Sequence, residues 1–329
     1  MRREEEEPLI IFGSSRSGTT LLRLMLNAHP RIAVPHELKY FNLVSAHART
    51  RTWRNPLSES DFTKLVDRFL DERDHVFEDI GIQHVRDRIF ADGDRTIVTP
   101  YLVAARTWME HYGKKRWGEK TPNHLFYADV LIEMFPRARF VYMMRDPRAV
   151  VSSMNSIRYF SEDSILNALN WNRSATVGYS LFETAIPESH RLTLRYEDLA
   201  EEPETTLKLL CEFIGEEFDE QMLEFYRDSS KYLAPVIRTE NVEKAVTTSS
   251  IDRWRDELSA SEIRAVENIC REAMKKHGYE PELGKSTFGE RLNIGMKTHY
   301  FQSRIKKNAG TPGHTVTYPM FSRFRSTKK

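Results

Sequence analysis

The sequence predicts a single α/β domain, a central and mainly parallel sheet flanked by helices, and three observations lead there. Apolar or β-rich runs alternate with helical patterns along most of the 329 residues. Two of these runs, Leu9–Phe12 and Arg139–Met144, each pass through a short turn into a helical pattern. The first turn is rich in small residues, Gly13-Ser-Ser-Arg-Ser-Gly18. Such a turn brings backbone N–H groups and a helix N-terminus together, which suits an anion.

Taken in order, Leu9–Phe12 is wholly apolar and reads as a buried strand, and a helix follows over about Gly18–Asn27, with Leu21, Leu22, Met25 and Leu26 facing the core. Ile32–Val34 reads as a short second strand, and another helix is expected to start within Glu37–Ala48. Residues 51–100 read as mainly helical, because Phe62, Leu65, Val66, Phe69 and Leu70 form one amphipathic face. Thr96–Val98 reads as a weak strand ended by Pro100. After the strand Arg139–Met144 comes Arg145-Asp-Pro147 and a helix to Asn155; Pro147 suits the first helical position, where no N–H is needed. Ala168–Thr184 predicts a longer helix, Arg191–Tyr196 alternates as a strand, and Glu204–Ile214 is helical again. Residues 229–251 are polar and weakly periodic, as in a substrate lid or a surface loop. Ser259–His277 predicts the last regular helix, with Gly278 as its C-terminal stop.

A chain of this length with 40% hydrophobic residues can bury a large core. Its net charge is only +1, yet residues 297–329 hold eight Lys or Arg and no acid. That tail reads as a solvated extension or as a positive cover over an anionic ligand. Its aromatic residues Tyr300, Phe301, Tyr318, Phe321 and Phe324 would equally suit an acceptor pocket or a subunit interface, so a homodimer is one arrangement considered. No nucleic-acid recognition motif accompanies the basic residues, and the main body has balanced charge. The N-terminal apolar run is too short for a signal peptide or a transmembrane anchor, and a cytoplasmic location is expected. Cys211 and Cys270 lie in helical patterns and are expected to be buried free thiols; the Asn172-Arg-Ser174 sequon then has no role.

Gly13 and Gly18 have the spacing of a nucleotide-binding loop, but the residue after the second glycine is Thr19 rather than Lys. The cation sits within the turn instead, as Arg16, whose planar guanidinium holds two oxygens in a fixed fork. Ser17, Gly18, Thr19 and Thr20 complete a P-loop-like site for a multiply charged anion. The bland alternative is a tight turn with a satisfied helix cap. Arg145 leaves the second strand while Ser153 lies about two turns into the next helix, so both can converge on one phosphate; otherwise Arg145 is an ion-pair partner of a nearby acid.

Three segments, Ser15-Arg-Ser-Gly-Thr-Thr-Leu-Leu22, Trp117-Gly-Glu-Lys-Thr-Pro122 and Arg145-Asp-Pro-Arg-Ala-Val-Val-Ser-Ser153, resemble in order the motifs of sulfotransferases that use 3'-phosphoadenosine 5'-phosphosulfate. The resemblance spans roughly residues 8–277 and is nearest in style to the tyrosylprotein, bacterial and carbohydrate-modifying branches, which accept Arg in the first loop. It implies a sulfotransferase domain over 1–284 and a basic extension over 285–329. It implies that Arg16–Thr20 hold the 5' phosphosulfate, that Arg145 and Ser153 hold the 3' phosphate, and that no metal is required. Glu37 matches the catalytic base of tyrosylprotein-type members in its distance from the loop; a first-turn helix carboxylate is the alternative. His36 is the second choice of base, and His111 and His124 stay open because other branches use a His. Lys120, framed by Gly118 and Pro122 as a turn, would balance charge on the bridging oxygen. Tyr196, Ser250 and Arg253 match segments near the nucleotide, whereas Trp117 would either stack on adenine or pack in the core.

The implied reaction moves a sulfuryl group in line onto a hydroxyl, less readily an amine, of a small metabolite, a glycolipid or other carbohydrate, or a carrier-bound intermediate. Its product is 3'-phosphoadenosine 5'-phosphate. The alternatives are a kinase-like phosphotransferase, disfavoured by the missing Lys and by Asp146 being expected to cap a helix, and a non-catalytic nucleotide-binding regulatory protein.

Overall fold

The computed structural model describes residues 6–157, 160–232 and 245–308. Strand β1 (Leu9–Gly13) leads into helix α1 (Thr19–Ala28) and then into the two-residue strand β2 (Ile32–Ala33). Helices α2 (Glu59–Glu72), α3 (Ile82–Asp92) and α4 (Val98–His111) precede β3 (Arg116–Lys120). Strand β4 (Arg139–Met144) runs into α5 (Pro147–Asn155), followed by α6 (Ser164–Arg173), β5 (Arg191–Arg195), α7 (Pro203–Ile214), α8 (Ala260–Lys276) and α9 (Phe288–Asn308).

The five strands form one sheet in the order β2-β3-β1-β4-β5, and every pairing is parallel. The core explains why β1 is apolar throughout. Ile10 and Phe12 face a layer that includes α2 to α6 and α8, whereas Leu9 and Ile11 face α1 and α7. All four are fully buried, and each such side chain contributes about 1.5–3 kcal/mol of burial. The result is a three-layer α/β domain with the functional loops at the carboxyl ends of the strands.

Strand β3 differs from the expected turn around Lys120. Ile10 pairs with Glu119 and Ile11 with Lys120, so this charged segment lies inside the sheet. Gly118 permits it, because a Cβ there would stand 2.8 Å from both the Leu9 carbonyl oxygen and Val34 Cγ2. The expected strand Thr96–Val98 is also corrected: Val98 begins α4, and Pro100 sits in its first turn, where an intrahelical N–H donor is dispensable. Glu37 does not start a helix; the chain is irregular to Lys39, makes a 3₁₀ turn over Tyr40–Asn42 and is helical only over Ser45–Arg49. The helix expected over Ala168–Thr184 begins earlier, at Ser164, capped by Asp163, and continues through a π turn at Ser174–Gly178.

Cys211 and Cys270 are buried free thiols. Helix α9 packs Ile294 and Phe301 against Ile165, Leu166 and Leu169 of α6 and Ala265 of α8. The beginning of the basic extension is therefore docked on the body, while Tyr318, Phe321 and Phe324 lie outside the described residues. Among the described residues no helix is long and apolar enough to cross a membrane.

Candidate active site

The first loop turns on two left-handed residues, Arg16 (φ 70°) and Gly18 (φ 87°). An arginine in that region is a local cost that surrounding contacts must hold. The Arg145 guanidinium supplies one such contact by donating through Nη1 to the Arg16 carbonyl at 3.0 Å. At Gly18 a Cβ would approach Tyr196 Cδ2 to 2.4 Å, so only glycine fits against that ring. Gly18 is the N-cap of α1 and offers no side-chain hydrogen bond to the first-turn N–H groups. Those donors, beginning at Thr19 and Thr20, form the positive end of the helix.

The two predicted phosphate elements meet. Arg16 Nε donates to Ser153 Oγ at 3.0 Å, joining the loop to the second turn of α5. Arg145 Nη2 donates to the Ser250 carbonyl at 2.7 Å, and its guanidinium carbon lies 4.1 Å from the centre of the Tyr196 ring. Tyr196 also shares a hydrogen bond with Ser250 Oγ. The arginine is only 7% exposed, its Nε has no hydrogen-bond partner, and burial lowers its pKa. Ser17 is likewise buried, with an unpartnered Oγ. Arg253 instead pairs through Nε with Glu257 at 2.8 Å and is half exposed.

Three residues along, Arg148 shows the structural use of a buried guanidinium. It pairs with Asp146 at 2.7 Å and with Glu267 at 2.9 Å, and Asp146 also caps α5 by accepting from the Arg148 N–H. Arg145 makes no carboxylate ion pair among the described residues.

The second half of the site centres on Glu37. Lys120 Nζ, at the end of β3, stands 2.7 Å from Glu37 Oε1 and 3.5 Å from Thr20 Oγ1, linking the carboxylate to the start of α1. Lys39, which the sequence reading missed, brings Nζ to 3.5 Å from Glu37 Oε2. It occupies a left-handed backbone position, and its N–H donates to Thr121 Oγ1. Its signal was only its place two residues beyond a suspected base. Burial would raise the Glu37 carboxyl, but Lys120 and Lys39 outweigh it and hold the group well below the usual carboxylate range. Burial lowers the Lys120 ammonium, with Glu37 opposing that shift.

The His36 Nδ1 is buried without a partner. Burial, with Lys120 and Arg23 nearby, pushes its pKa down to about 2, so the ring is neutral at physiological pH. Arg23, another residue the sequence reading took only as helix, is fully buried and donates to the carbonyls of Val34 and Tyr232. His124 lies behind the sheet end with both nitrogens engaged, by Glu119 at 3.1 Å and the Phe41 N–H at 3.3 Å. His111 is exposed at the end of α4. Trp117 is buried between Tyr101 and Phe135 and donates to Glu6, which places it in the core.

A cleft of about 530 Å³ opens elsewhere, between α6, α8 and α9, but Glu162, Asp163, Glu262 and Glu290 line it. That electrostatics is opposite to what an anionic ligand requires. Among the described residues no group of three or more His, Cys, Asp or Glu is placed to hold a metal.

The fold agrees with what known proteins show. The Sinorhizobium fredii nodulation protein NoeE is 26% identical over 310 residues, covering 84% of this chain and 67% of its own. Protein-tyrosine sulfotransferase 2 of Gallus gallus is 25% identical over 328 residues, covering 95% and 81%. Among solved structures, the sulfotransferase domain of the Synechococcus PCC 7002 olefin synthase superimposes with a TM-score of 0.59 at 22% identity, covering 84% of this chain and 97% of that one. The sulfotransferase family model matches residues 8–220, from the start of the first strand to beyond α7, and on that match the chain belongs to the sulfotransferase family.

Proposed function

We propose that the chain transfers the sulfuryl group of 3'-phosphoadenosine 5'-phosphosulfate onto a hydroxyl of a small metabolite, a carbohydrate or lipid-linked sugar, or a carrier-bound intermediate. The observation that carries this reading is the junction where Arg16 reaches Ser153 and where the buried Arg145 is held by two carbonyl oxygens and an aromatic ring. The orphaned Nε of Arg145 and Oγ of Ser17 suit the oxygens of a doubly phosphorylated nucleotide. In this reading residues 16–20 hold the 5' end of the donor, and Arg145 with Ser153 holds the 3' phosphate. Tyr196 and Ser250 brace Arg145, and Arg253 lies at the rim.

The donor supplies an activated sulfuryl group; the acceptor oxygen bonds to sulfur as the bridging sulfur–oxygen bond breaks, and the electron pair leaves on the nucleotide phosphate. Glu37 takes the hydroxyl proton. Lys120, already between Glu37 and the start of α1, turns its charge toward the leaving oxygen. That turn relieves Glu37 of its strongest cationic partner and makes it a better base at the moment it is needed. His36, neutral and weakly basic, orients rather than deprotonates. No step requires a metal. We assign catalysis to residues 1–284 and place the protein in the cytoplasm, which two buried unpaired thiols support.

Calorimetric titration with 3'-phosphoadenosine 5'-phosphate, ADP and ATP with magnesium tests the donor class. Preference for the 3'-phosphorylated ligand is expected. Preference for magnesium ATP would replace this reading with a phosphotransferase, and tight binding with no transfer to any acceptor would leave a nucleotide-binding regulator.

A further inference from the structure

Glu37 is outnumbered by the cations around it. Its two oxygens are divided between two lysines: Lys120 Nζ, which also reaches toward Thr20 of α1, stands 2.7 Å from Oε1, and Lys39 Nζ stands 3.5 Å from Oε2. Arg23, fully buried near by, directs its two Nη groups to the carbonyls of Val34 and Tyr232. A fourth cation comes from the end of α2. The His36 and His75 rings meet edge to face with centroids 5.8 Å apart, which lays the junction of α2 with the short helix Asp74–Phe77 against the Glu37 segment. Arg73 lies at that junction, within electrostatic reach of the Glu37 charge.

The acids beside Arg73 are already engaged. Glu72 stands 2.9 Å from Arg68 Nε and reaches Arg73 only at 3.8 Å, beyond hydrogen-bond distance. Asp74 accepts from the His75 N–H at 2.6 Å. The cations also differ in access. The Lys120 side chain is 1% exposed, whereas those of Glu37, Lys39 and Arg73 are 21%, 38% and 16% exposed. A molecule arriving from solvent beside Glu37 therefore meets Lys39 and Arg73.

We propose that the acceptor carries an anionic group, a carboxylate or a phosphate, close to the hydroxyl that is sulfated, and that Lys39 and Arg73 receive it. The proposal rests on the sulfuryl-transfer reading and narrows its acceptor. Ground lined by one sign of charge concentrates ligands of the other, and charge-assisted hydrogen bonds then fix them. The anion also draws the Lys39 ammonium from Glu37 Oε2, as the donor draws Lys120 from Oε1. The carboxylate is then most basic only when both substrates are seated, and a neutral alcohol leaves Lys39 in place.

The test is calorimetric titration of the full chain, saturated with 3'-phosphoadenosine 5'-phosphate, with two matched pairs of probes: 3-hydroxybutyrate and its methyl ester, and glycerol 3-phosphate and glycerol. In at least one pair the anionic member should bind at least about tenfold more tightly than the neutral one. The tighter of the two anions tells carboxylate from phosphate. Arg73→Gln should erase most of that preference while its nucleotide affinity and thermal melt stay unchanged, which separates a lost contact from lost folding. Failure to bind the nucleotide overturns the sulfuryl-transfer reading and this proposal with it. Nucleotide binding with no preference for either anion, or a preference that Arg73→Gln keeps, overturns the proposal alone.

Discussion

The two halves of the site handle charge in opposite ways. Beside the first loop Arg145 is held by carbonyl oxygens and a ring, none of which cancels a positive charge. At the end of β3 Glu37 is neutralised from two directions, by Lys120 and by Lys39. The first arrangement retains attraction for an anion; the second stores a carboxylate whose basicity depends on where its lysines point. Arg145 and Arg148 repeat the contrast within one segment. Arg148 is saturated by acids and fixes α5 to α8, whereas Arg145 keeps its charge for use.

Removing the stored carboxylate is the sharpest way to break this comparison. Glu37→Gln should lower kcat by about 10²–10⁴-fold, the usual worth of a positioned general base, while nucleotide affinity is retained. Steady-state kinetics at saturating donor and acceptor will read it, and unchanged turnover would remove Glu37 from the reaction. Next come the two arginines. Arg148→Ala leaves the buried Glu267 and Asp146 unpaired and should cost about 3–5 kcal/mol of stability in denaturant unfolding. Arg145→Ala should leave stability nearer to wild type but weaken 3'-phosphorylated nucleotides by about 1.5–3 kcal/mol, sparing nucleotides that lack the 3' phosphate. Equal losses for both nucleotide types would detach Arg145 from the 3' phosphate.

The smallest effect concerns His36. Its folded pKa lies far below its unfolded value of about 6.5, so its neutral form contributes stability that is complete above that value. As pH falls below it the unfolded chain gains the proton first, and stability drops toward the folded pKa. Thermal melts between pH 7 and 4.5 should therefore decline less steeply in His36→Gln than in the parent; parallel curves would show that the ring is not held neutral by its surroundings.

The sequence made some of this legible and hid the rest for physical reasons. Strands β1 and β4 were readable because both faces of the sheet are covered, which demands unbroken apolar runs. Strand β3 was not, because its Arg116, Glu119 and Lys120 look like surface residues. Two of their partners come from distant segments, Glu216 for Arg116 and Glu37 for Lys120, while Glu119 is held by His124 just beyond the strand. Pro100 misled because proline ends a strand and opens a helix equally well. Glycine spacing and the displaced cation pointed to the first loop, but nothing local announced that Lys39 would share Glu37, since that contact depends on a left-handed turn of the backbone.

The Tyr196 ring against Gly18 also has a consequence for the order in which the molecule assembles. The ring that occupies the space beside the loop lies 178 residues further along the chain, and the neighbours of β1 lie more than a hundred residues further on. Contacts of such long sequence separation form slowly. The surroundings of the loop are therefore complete only once Tyr196, just past the fifth strand, has docked.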